Sequence, residues 1–220
     1  MKQVILSSAL FITSLCSIST TAKAQKGFYV GVQGAPQLSV MFNEDDVKAS
    51  GSDYKSKFSQ TYGVTGGYNF NSRMGIGTEI MYSTSKQSYT APNADYTQQF
   101  SYVKVPLLFT YNSNPESKVV FTAKAGPQVG LLVKSRITNA DDASLNGDNK
   151  DKYRDMVFGA TAGAGARVRL AGNIYLHGGI RFDGSFSNIE NKDHHGYTSG
   201  RAKTYDLNTG IEFGVKYFLN

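Results

Sequence analysis

Nine ionisable side chains carry the most coherent chemistry in the sequence: Glu79, Lys104, Lys124, Arg167, His177, Arg181, Asp183, Glu212 and Lys216. Each falls on the polar side of a segment whose residues alternate between apolar and polar, so all nine are expected to share one interior. Such a set could line a polar pathway or an active site. It could equally form mutually neutralising salt bridges that plug a narrow bore. The plug is the preferred reading, because buried charges need partners and eight strands enclose little more than the room side chains fill. Arg181 and Asp183 lie two apart on one face, and Glu212, Lys216 and Lys124 are the expected company from neighbouring strands.

Other patterns are weaker. Nucleophilic catalysis needs a nucleophile held beside a base. His177 and Ser185 share a face but stand too far apart along it to form a triad. Asp142, Ser144, Asn146 and Gly147 resemble the opening of a calcium loop, yet the twelfth position is Tyr153 rather than a bidentate glutamate. An Asx-rich surface turn accounts for them. His194 and His195 are adjacent in a polar loop, where solvation is their expected fate. The single cysteine, Cys16, lies in the leader, which removes disulfides, thiol catalysis and thiolate metal sites from the mature chain. No catalytic, cofactor-binding or metal-binding residue is assigned, no cofactor is expected, and the protein is read as not an enzyme.

The elements that must position the nine residues are strands. Over 205–217, Tyr205, Leu207, Thr209, Ile211, Phe213, Val215 and Tyr217 form one face, and Asp206, Asn208, Gly210, Glu212, Gly214 and Lys216 form the other. The period is two. Similar alternation predicts strands over 27–39, 58–70, 74–85, 100–111, 118–134, 154–170 and 174–186. In the sixth of these, Asp155 is predicted to point inward with Thr161 and Arg167. Pro106 removes a ladder donor in mid-strand, so a local bulge is expected there. Long polar connections at 43–57, 86–99, 135–153 and 187–203 alternate with short turns at 71–73, 112–117 and 171–173. The fold predicted is all-β: an eight-stranded antiparallel up-and-down transmembrane β-barrel with short periplasmic turns and four long external loops.

Period two alone does not say which face is outside. A soluble lipocalin-like barrel also has eight strands, with its apolar face turned in. Two features favour lipid. The polar face is mostly Gly, Thr, Ser and Asn, too sparsely charged for a water-facing surface, and Tyr and Phe gather near the ends of the apolar faces, as interface girdles do.

Residues 1–24 read as a cleaved signal peptide: Lys2, a diluted apolar run, then Ala22-Lys23-Ala24. The barrel domain is 25–220, one domain of about 195 residues. The formal charge is +6, of which Lys2 and Lys23 leave with the leader. The basic residues do not cluster, so nucleic acid is not an expected partner.

Three stretches carry a family resemblance: Phe28-Tyr29-Val30-Gly31-Val32 with Gly34 and Pro36, Tyr102-Val103-Lys104-Val105-Pro106-Leu107-Leu108, and Ala125-Gly126-Pro127. The chain resembles the outer-membrane β-barrel family typical of Bacteroidetes, called PorT-like or porin family protein. It departs from the usual aromatic last residue, since Leu219 and Asn220 follow Phe218. The resemblance implies an eight-stranded barrel of the cell outer membrane; the residue pattern adds the expectation of a non-enzymatic protein with a side-chain-filled lumen and surface loops for structural or interaction roles. The implied partners are the lipid bilayer, the outer-membrane assembly machinery and an unidentified extracellular ligand or protein reached by the long loops. The alternatives are a narrow channel for small solutes (OmpW-like), a barrel enzyme and a soluble binder.

Overall fold

The computed structural model describes residues 26–45, 53–91, 94–113, 117–139, 146–195 and 197–219. The expected signal peptide, 1–24, lies outside the described residues, as do Asp142 and Ser144. The strands are β1 (Gly27–Phe42), β2 (Asp53–Asn69), β3 (Met74–Ala91), β4 (Ala94–Asn112), β5 (Val119–Asn139), β6 (Gly147–Asp148), β7 (Met156–Ala171), β8 (Ile174–Ser185) and β9 (Tyr205–Leu219). Hydrogen-bonded order is β4-β3-β2-β1-β9-β8-β7-β5, and a further β4–β5 ladder closes the ring. All pairings are antiparallel, and the two-residue β6 adds to one end of β5. This is a closed barrel of eight strands. First and last strands meet in register from Phe28↔Leu219 to Phe42↔Tyr205, so no edge is left unpaired.

Alternation decides what each strand buries. Outward stand Val30, Val64, Ile80, Leu107, Phe158, Ile180 and Ile211, all exposed. Phe121 keeps 68% of its surface, more than a water-facing phenylalanine should. Phe28, Tyr68, Phe70, Tyr111 and Tyr217 ring the end where β1 begins, β9 ends and the short turns lie, with Phe28 and Tyr68 4.7 Å apart. Inward stand the polar residues. An apolar exterior over a polar interior is the inside-out pattern of a barrel in lipid.

Both short turns that are fully described are locally encoded. Asn71 Oδ1 accepts from the backbone N–H groups of Arg73 and Met74, each at 2.8 Å. Gly172 takes φ 50, the left-handed conformation glycine adopts without a Cβ clash.

Three expectations are corrected. The predicted loop over 86–99 is ladder: β3 and β4 pair through Gln87↔Gln98, Tyr89↔Tyr96 and Ala91↔Ala94. The pairing is held by stacked Tyr89 and Tyr96 rings 4.9 Å apart and a 2.8 Å Ser88–Thr97 hydroxyl bond. Both faces there are polar, so hydrophobic alternation gives no sign of the strand. Three of the connections at that end are therefore long, and β2 and β5 flank the extended β3–β4 ladder through Tyr54↔Tyr89 and Tyr96↔Asn139. The bulge is not at Pro106, where register is continuous. It lies at Ser101/Tyr102, where β5 carries one extra residue. The ladder beside Pro106 adapts differently: Thr78 Oγ1 donates to the Pro106 carbonyl at 2.9 Å. Finally, Asp155 precedes β7 and is exposed, paired with Lys150 at 3.1 Å rather than buried.

Near the short turns the Tyr29 ring packs on Phe218 (5.5 Å), which also meets Tyr175 (5.2 Å). Gly67 and Gly77 make the slot for that ring: a Cβ on either would sit 2.5 Å from the Tyr29 hydroxyl. Gly77→Val should evict the ring and destabilise the barrel by about 1–3 kcal/mol. Urea titration followed by heat-modifiable gel migration reads the loss, and an unchanged midpoint would contradict this packing.

Candidate functional site

Eight of the nine predicted residues are brought together in the lumen in one of two groups, and Lys104 stands apart with a different partner. The centre is Arg181 on β8, 1% exposed at its side chain. Its Nη1 donates to Glu79 Oε2 at 2.6 Å and to Glu212 Oε2 at 2.8 Å. Its Nε and Nη2 donate to the two Asp183 oxygens at 2.7 and 3.0 Å. Lys124 on β5 completes the belt, donating to Glu79 Oε1 at 2.7 Å and to Glu212 at 2.7 and 2.8 Å. The 102-residue reach from Arg181 to Glu79 matters most. β3 and β8 stand four places apart in an eight-strand ring, on opposite walls. The contact therefore spans the whole bore. Charge-assisted bonds this short belong to a desolvated, preorganised network.

Lys104 bonds Asp206 at 3.4 Å, further toward the long loops. Asp206 had been placed on the polar face but not among the candidate charges. A layer of uncharged polar groups surrounds it. Gln37 Nε2 donates to Ser83 Oγ and Asn208 Oδ1, each at 3.2 Å, and Ser39 donates to Asn208 Oδ1 at 2.7 Å. Thr161 ties Asp183 to the wall at 2.7 Å. Any period-two count places these residues inward.

Arg167, His177 and Lys216 form the second group, toward the short turns. Arg167 lies 5.1 Å from the Phe218 ring and Lys216 5.0 Å from the Tyr29 ring. His177 Nε2 is 3.6 Å from Glu212 Oε1, beyond hydrogen-bond range.

Above the polar layers an apolar plug closes the long-loop end. Met41, Phe100, Tyr102, Leu132, Val157 and Ile189 form one buried cluster, with Tyr153 against it. Ile189 comes from the connection between β8 and β9 and is fully buried. Its carbonyl accepts from Arg154 N–H at 2.8 Å, and its own N–H donates to the Thr204 carbonyl at 3.0 Å. That connection folds back over the mouth, which no local pattern announces.

His177 and Ser185 are not brought together. Eight residues of strand separate them by about 27 Å, and Ser185 Oγ instead accepts from Asp206 N–H at 2.8 Å. His194 Nε2 contacts Asp151 Oδ2 at 3.2 Å at the surface. Asn146 Oδ1 accepts from Asn139 N–H at 2.6 Å, a turn contact.

The lumen contents, the closed ring and the apolar exterior define a type of protein, and sequence comparison supplies the family. Residues 19–191 match the family described as outer membrane protein beta-barrel domain. The chain belongs to that family. This outer-membrane barrel is an integral protein of the cell outer membrane, seated in its lipid bilayer. Among solved structures it is similar to Neisserial surface protein A, at 15% identity over 88% of this chain and 97% of that one, TM-score 0.51. It is also similar to OprG from Pseudomonas aeruginosa, at 11% identity over 91% and 100% of the two chains, TM-score 0.51. At such identities the barrel fold is what is shared. No curated protein sequence matches the chain.

Proposed function

We propose that this outer-membrane barrel is a non-enzymatic surface protein whose lumen is filled by its own side chains and whose long-loop end contacts an external ligand or protein. The observation that carries this reading is the 2.6 Å Arg181–Glu79 bond between opposite walls, bracketed by Lys124 and Glu212. A solute following the axis would have to break a four-sided charge network and then displace the apolar cluster around Ile189. Folding effort at the mouth supports a role for the loops: Arg201 pairs with Glu190 at 3.1 Å, and Asn188 Oδ1 caps Thr204 N–H at 2.9 Å. The same reading places the chain with PorT-like barrels on residues 28–32, 102–108 and 125–127. It has residues 1–24 cleaved on export, 25–220 inserted by the assembly machinery, and the short turns facing the periplasm.

Planar-bilayer recording tests the filled lumen. The purified barrel should give no steady, well-defined conductance above the bare membrane. Discrete conductance steps of reproducible size would overturn the reading in favour of a narrow solute channel.

A further inference from the structure

We infer that the short-turn end of the lumen is a binding site for a small inorganic oxyanion of the phosphate class, held by Arg167 and Lys216. A cavity of about 40 Å³ lies there, lined by both cations together with Thr110, His177, Glu212 and Tyr29. That volume suits a few waters or one compact anion. Arg167 is 6% exposed, and its Nε has no hydrogen-bond partner among the described residues. Thr110 Oγ1 and both ring nitrogens of His177 are likewise buried without a hydrogen-bond partner among the described residues, His177 Nε2 standing 3.6 Å from Glu212. Neither Arg167 nor Lys216 forms an ion pair among the described residues; each rests on a ring of the aromatic cluster instead. The one carboxylate on the cavity wall, Glu212, is already engaged by Lys124, Arg181 and Gln33. Guanidinium and ammonium groups only donate, and buried donors left empty are costly. What the cavity lacks is a negatively charged acceptor not already engaged by other donors. Oxyanions match the guanidinium fork better than spherical halides do.

The test uses the full-length barrel refolded in detergent, titrated with inorganic phosphate in a gluconate background at constant ionic strength. The folded-to-unfolded ratio should rise in proportion to 1 + [phosphate]/Kd, about elevenfold once free phosphate reaches ten times its Kd. Arg167→Met should abolish the rise, while Arg73→Met, which removes an exposed cation from the same end, should leave it intact. A rise of equal size with phosphate and with chloride, shared by both variants, would be a nonspecific salt effect and would overturn the site. Should Arg167→Met not fold, crystals of the unaltered barrel soaked in selenate decide the matter. An anomalous peak within hydrogen-bond distance of Arg167 Nε supports the site, and a cavity holding only water overturns it.

Discussion

Arg181→Met should cost the barrel about 3–5 kcal/mol, the range for removing one partner from a buried ion pair. The side chain is 1% exposed and satisfies three carboxylates at once. With it gone, among the described residues Lys124 is the lysine or arginine left pairing Glu79 and Glu212, and the Thr161 hydroxyl is the side-chain donor left to Asp183. Water reaches the Arg181 position poorly, because the Ile189 cluster closes one side and the small cavity on the other touches Lys124 and Glu212 but not Arg181. If the belt instead lined a wet pore, solvent would screen the remaining charges and the cost would fall to about 0–1 kcal/mol. Urea unfolding in phospholipid vesicles measures the difference. Combining Arg181→Met with Asp183→Leu should recover part of the loss, since one stranded charge leaves with the second substitution. A single variant as stable as the parent would sink the account of a desolvated belt.

Ile211→Arg should cost about 2–4 kcal/mol, the price of an arginine on the lipid face at the bilayer midplane. Ile211 sits half-way along β9, points outward with 67% of its surface free, and pairs with Ile180 on β8. Nothing in the protein touches its tip strongly enough to explain such a loss. In water the same exchange at an exposed position would stay within about 0.5 kcal/mol. Val119→Arg is the companion measurement. Val119 opens β5 near the interface and is also exposed, so its penalty should fall to about 0–1 kcal/mol. A gradient between the two, measured in lipid vesicles, is the signature of a membrane around the barrel. Equal small costs at both sites would contradict it.

Much of the fold was legible in the sequence because strand chemistry repeats every two residues. Phe28, Val30 and Val32 were bound to one face and Tyr29, Gly31 and Gln33 to the other, whatever the barrel did later. The alternating turn lengths marked the hairpins, and the interior position of Glu79, Lys124, Arg181 and Glu212 followed from parity alone. Parity fails where no hydrophobic contrast exists. Lys86 to Gln99 alternates polar with polar, so its strands became visible only through the cross-strand Tyr89–Tyr96 stack and Ser88–Thr97 bond. Parity also breaks across an inserted residue, which is why the bulge at Ser101/Tyr102 went unseen while Pro106, a plausible disruptor, kept its register.

What the tertiary structure alone decided is who meets whom across the bore. Sequence places Arg181 and Glu79 inside, but their bond depends on how far each strand slides against the next around the ring, and small offsets accumulate over four ladders. The same closure folds Ile189 into the mouth and leaves Arg167 and Lys216 facing a cavity with no carboxylate free to answer them. Faces are set by the geometry of one strand; partners are set by the sum of all eight.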